Sequence, residues 1–172
     1  MRDLTKGHAA LRRGRVSIPH AEYFLTVCTD EKHPGLSSPA AAPDILAELR
    51  AMDADLTWQL RCAVVMPDHV HALIILGERI TLGQSVGRLK AKTKSSLLGA
   101  ALPVAWERDF YDHHVRPEED RSAIFRYIFL NPDRAGLCAS GGRWPWCFCR
   151  EADWSWFKGE LNAESPYPEW LL

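Results

Sequence analysis

His69 and His71 lie two residues apart inside the apolar stretch from Arg61 to Leu76. On a β-strand, residues two apart point to the same face, so both imidazoles are offered to one side of a sheet. That is half of a metal site. The plainer alternative is one histidine packed in the core and one solvated, since two ligands do not complete a site. A second pair lies downstream, at Tyr127 and Asn131. Four residues apart on a helix, they share a face and aim a phenol and a carboxamide together. Read without chemistry, they are a core aromatic and a helix-ending residue.

The elements that must hold these groups are legible around them. Leu60 to Met66 and Ala72 to Leu76 are rich in β-formers, with the turn signal Pro67-Asp68 between them, so the histidines sit where the second strand leaves a hairpin. Pro117 suits a first helical position, with Glu118, Glu119 and Asp120 in the first turn. Ile124, Phe125 and Ile128 continue at helical spacing, and Pro132 ends the element near Asn131. Upstream come a strand at Glu22 to Thr29, a loop from Glu31 to Pro43 and a helix from Asp44 to Met52. A helix from Leu82 to Leu98 and a strand within Trp106 to Val115 follow the hairpin. This β-α-β-β-α-β order with a further helix predicts an α+β fold, with helices packed on one face of an antiparallel sheet.

Composition bounds the function. At 172 residues, 47% hydrophobic and 25% charged, one globular domain is expected, with a basic N-terminal arm over 1–20 and an aromatic C-terminal tail over 141–172. No apolar run approaches the roughly 20 residues of a membrane span, and no secretory signal is present. Five cysteines form no Cys-x-x-Cys, which fits a reducing cytoplasm. With a net charge of −1, any nucleic-acid site must be local. Basic residues concentrate in two places. The arm carries Arg12, Arg13 and Arg15; the Leu82 helix carries Arg88 and Lys92 on one flank of an apolar stripe and Lys90 and Lys94 on the other. These arginines and Lys92 are candidate phosphate contacts, the alternative being a solvated helix face. The tail rings from Trp144 to Phe157 are expected to pack over the sheet, or to stack on unpaired bases.

Four words in order resemble the REP-associated tyrosine transposases, within the single-tyrosine HUH endonucleases. They are Tyr-Phe-Leu-Thr at 23–26, Met-Pro-Asp-His-Val-His at 66–71, Trp-Glu-Arg-Asp-Phe-Tyr-Asp-His-His-Val-Arg at 106–116, and Tyr-Ile-Phe-Leu-Asn-Pro-Asp-Arg-Ala-Gly-Leu at 127–137. The resemblance spans roughly residues 12 to 157. One departure is Trp146-Cys147-Phe148-Cys149, where family members often carry a second serine after Trp-Ser.

The resemblance implies a ferredoxin-like domain that cuts and rejoins single-stranded or hairpin DNA, with Tyr127 as nucleophile and His69, His71 and Asn131 as metal ligands. Two imidazoles and an amide oxygen leave coordination positions open for substrate oxygens, and the donor set suits magnesium or manganese. A 5′-phosphotyrosine keeps the phosphodiester energy, so no nucleotide cofactor is needed; no Walker-type loop is present. Tyr111 is a rival nucleophile without a ligand-type residue four positions on. The alternatives are a related HUH replication initiator or relaxase, and a domesticated single-stranded DNA-binding protein without cleavage. Monomer and homodimer both remain open.

Overall fold

A computed structural model of the chain describes residues 16–99, 104–138, 144–164 and 167–171. Five strands, β1 (Glu22–Cys28), β2 (Trp58–Val65), β3 (His69–Leu76), β4 (Tyr111–Val115) and β5 (Cys147–Cys149), form one antiparallel sheet in the order β4-β1-β3-β2-β5. Between them run helices α1 (Ala42–Ala54), α2 (Leu82–Leu98), α3 (Arg121–Phe129) and α4 (Asn131–Arg134), and α5 (Glu151–Phe157) follows the last strand. The first four strands with α1 and α2 make the expected ferredoxin-like β-α-β-β-α-β unit.

The pleat divides the core in two. Tyr23, Leu25 and Val27 on β1 and Val70, Ala72 and Ile74 on β3 point into one cluster with Ile45, Leu49 and Met52 of α1 and Val86 and Leu89 of α2. The alternate residues, Phe24 and Leu73, point into a second cluster with Ile124, Phe125 and Ile128 of α3 and Phe157 of α5. Helices on one face are therefore true of α1 and α2 only; α3 and α5 cover the opposite face. The sheet is apolar on both sides, and each apolar side must be buried. On β2 the register shifts between Leu60 and Cys62. This bulge at Arg61 lets Leu60 and Ala63 share one face and sends Cys62 and Val64 to the other.

Helix α2 has the bounds its periodicity predicts. Thr81 accepts from the Gln84 amide while Gln84 answers to the Thr81 amide, a capping box that starts the helix, and Leu82, Val86, Leu89 and Leu97 are buried. Helix α3 starts later than expected. Pro117 and Glu118 form a turn; the helix opens at Arg121, because Asp120 accepts from the amides of Ser122 and Ala123. It also stops earlier. Leu130, at φ −87° and ψ 4°, leaves helical geometry, and Asn131 begins α4 with Pro132 in its first turn. The aromatic tail packs as expected and adds what composition did not reveal: β5 extends the sheet beside β2, and α5 joins the α3 layer.

Candidate nucleic-acid-processing site

His69 and His71 project from β3 toward the α3 layer, with ring centroids 4.4 Å apart. Each ring is oriented through Nδ1. His69 Nδ1 lies 2.7 Å from Asp68 Oδ1, and His71 Nδ1 lies 3.0 Å from the Thr26 hydroxyl on β1. The Asp68 carboxylate can only accept, so neutral His69 donates through Nδ1 and keeps its Nε2 lone pair. Burial pushes the pKa of both imidazoles down. At His71, which is 5% exposed, the shift is large and is deepened by the nearby His69 and Arg134, with a Leu25 main-chain bond opposing; at His69, Asp68 opposes it. Both rings are neutral at pH 7, the form that binds a metal.

The Tyr127 ring stands edge-on to His71 at 5.5 Å and to Phe24 at 6.1 Å. The structure thus brings together His69, His71 and Tyr127, from a strand and a helix far apart in sequence. Asn131, 8% exposed, is buried at the first position of α4, the residue that follows the break after α3. Among the described residues no group of three His, Cys, Asp or Glu is placed to hold a metal. Tyr111, the rival, pairs with Thr26 across β4 and β1 and packs partly buried in the same layer.

Arg12, Arg13 and Arg15 lie outside the described residues. Arg88 and Lys92 are on α2, across the sheet from the histidines, and the Arg88 guanidinium is held by Asp55 at 2.6 Å, Glu48 at 3.5 Å and the Thr57 hydroxyl at 3.0 Å. Lys90 donates to the carbonyls of Glu107 and Asp109 at 2.8 and 2.9 Å. Lys92 is exposed.

Several residues around the site were not singled out by sequence. Asp68 and Thr26 orient the rings; the Asp-His neighbourhood at 68–69 was the visible sign for the first, while Thr26 is defined only by strand pairing. Arg134 places its guanidinium 4.2 Å from the Tyr127 ring centroid. Its spacing of seven from Tyr127, two helical turns, was the available signal. Tyr167 meets Tyr127 at 5.4 Å, and Trp170 stacks on His113 at 3.6 Å while His113 reaches Glu119 at 2.9 Å. Nothing local marks these C-terminal rings.

No family model and no curated protein matches the chain. Among solved structures, a REP-associated tyrosine transposase bound to a REP hairpin superposes with a TM-score of 0.63 at 21% identity, covering 77% of this chain and 79% of that one. A candidate transposase from Deinococcus radiodurans R1 superposes with a TM-score of 0.48 at 25% identity, covering 68% of this chain and 95% of that one. At 0.63 over more than three quarters of both chains, this protein shares its fold with a REP-associated tyrosine transposase.

Proposed function

We propose that the protein is a DNA-nicking and strand-joining transposase of the REP-associated type, acting on single-stranded or hairpin DNA through Tyr127. The observation that carries this reading is the neutral pair His69 and His71, each oriented through Nδ1, with the one helical tyrosine of the motif standing 5.5 Å from His71. The shared fold, in which the related protein is bound to a REP hairpin, supports the choice of substrate.

Two neutral imidazoles oriented by Asp68 and Thr26, with the Asn131 carboxamide as third donor, would hold a divalent cation, magnesium or manganese. When bound, such an ion supplies polarisation of the scissile phosphate. The chain does the rest. Asp68 and Thr26 hold the rings in place, and the packing of Tyr127 against His71 and Phe24 holds the phenol ring beside the histidine pair. The Tyr127 oxygen forms a bond to phosphorus as the bond from phosphorus to the 3′-oxygen breaks. The phenolic proton passes to solvent, and the departing 3′-oxygen takes up a proton. The strand is held as a 5′-phosphotyrosine, and attack by a 3′-hydroxyl reverses the step without a nucleotide.

The test is incubation with single-stranded oligonucleotides from DNA flanking the gene, with manganese or magnesium, followed by denaturing electrophoresis. A denaturation-resistant adduct is expected. Tyr127→Phe should abolish it while hairpin binding persists, since only a hydroxyl is removed. An adduct mapped by mass spectrometry to Tyr111 would reassign the nucleophile, and an adduct formed equally well in chelator would remove the metal from the reading.

A further inference from the structure

Arg134 is an exposed arginine one helical turn beyond Asn131, and its side chain folds back over the nucleophile rather than into solvent. The guanidinium carbon lies 4.2 Å from the Tyr127 ring centroid and 5.1 Å from that of Tyr167, between the two rings. Nη2 donates to the Tyr127 carbonyl at 3.0 Å and Nη1 to the Tyr167 hydroxyl at 3.2 Å. A guanidinium has five N–H groups in a planar fork. Two are accounted for by these bonds, and among the described residues no carboxylate forms an ion pair with Arg134. Its charge also reaches His71. Of the other arginines beside this layer, Arg61 and Arg121 are committed to carboxylates, and Arg126 is buried on α3 with its guanidinium 5.1 Å from the Tyr167 ring centroid. Arg134 is thus a cation with donors to spare, fixed on the face of the tyrosine whose oxygen must meet an anion.

We infer that Arg134 binds the phosphate that Tyr127 attacks, and that the same side chain positions the Tyr127 ring. This deepens the tyrosine reading and rests on it. The fork presents parallel donors to two phosphate oxygens, a geometry that a lysine point charge does not reproduce. A purely structural Arg134 would only cap α3, through the Tyr127 carbonyl, and tie down Tyr167.

Two measurements separate these roles. In the full chain carrying Tyr127→Phe, which leaves DNA uncut, the Arg134 Nε–Hε resonance is followed during titration with oligothymidine and assigned by its loss in Arg134→Lys. It should shift to saturation with the DNA. In the otherwise unaltered chain, Arg134→Gln should lower the single-turnover rate of adduct formation at saturating DNA by about a hundredfold, on the scale of losing one charge-stabilising donor. Arg134→Lys should recover part of that loss while both variants keep the parent's melting temperature within a few degrees. A resonance unmoved by saturating oligothymidine overturns the proposal, as does an Arg134→Gln rate within about threefold of the parent. If the parent chain forms no adduct with any strand, the tyrosine reading fails, while the resonance shift still decides whether Arg134 binds phosphate.

Discussion

The histidine pair carries its chemistry at a cost in proton affinity. Burial lowers the pKa of both rings, so the fold holds them neutral where an exposed histidine, with a pKa near 6.5, has begun to charge. The sign of the consequence follows. As pH falls below about 6.5 the unfolded chain takes up protons that the folded chain refuses, so stability is complete above that value and declines as pH drops toward the lowered folded values. Urea titrations across pH 7.5 to 5 should show this decline, and His71→Gln should flatten it; a parent profile that is level through this range would contradict burial as the dominant influence. The pair was legible in the sequence because strand alternation alone puts residues 69 and 71 on one side. Their partners were less so: Asp68 was visible as a neighbour but read as a turn residue, and Thr26 depends on a pairing of β1 with β3 that no local pattern specifies.

At the scale of elements, ion pairs tie α3 and α5 to the sheet beside the apolar cluster that both helices bury. Arg61, at the β2 bulge, donates to Glu22 on β1 and binds Asp153 of α5 at 2.5 and 3.2 Å, while Arg121 at the start of α3 reaches the other oxygen of Glu22 at 2.9 Å. Glu22 and Asp153 are both buried. Removing the arginine leaves both acids short of a partner, so Arg61→Met should destabilise by about 3 kcal/mol or more, read from denaturant midpoints. A change under about 1 kcal/mol would mean the methionine packs well enough on Phe125 to replace the ion pairs. Helix α2 gives the converse case. Its bounds were readable from the apolar stripe, yet the flank carrying Arg88 turned out to bind Glu48 and Asp55 within the α1–α2 layer. Arg88→Ala should therefore lower stability and leave hairpin affinity unchanged; a clear loss of DNA binding would restore it as a phosphate contact. The break after Phe129 was anticipated in kind from Pro132 but misplaced, as was the start at Asp120, because a capping side chain outweighs the position of a proline three residues earlier.

For the whole molecule, element order predicted the α+β class and the β-α-β-β-α-β unit, since short connections leave few arrangements. What it did not predict was a sheet buried on both sides. The second layer is built from α3, α5 and residues 167–171, and its contacts join segments distant in sequence, such as Phe24 with Trp170 at 5.5 Å. β5 is three residues long, too short for alternation to register. This double layer places the histidines on the central strand, hydrogen-bonded to β1 on one side and β2 on the other, and places Tyr127 on a nine-residue helix followed by a four-residue one. Opening free energy is not uniform in such an arrangement. The amides of His71 to Ile74 should exchange with deuterium only through global unfolding, and those of Phe129 to Asn131, Asp133 and Arg134 through local fluctuations of far lower energy, a gradient that native-state exchange read by mass spectrometry resolves. Equal protection in the two segments would contradict it. The proposed reaction centre would then join the slowest-exchanging part of the chain to one of the fastest: thermal fluctuation would unlatch it from the helix side, while the imidazoles kept their spacing for the lifetime of the fold.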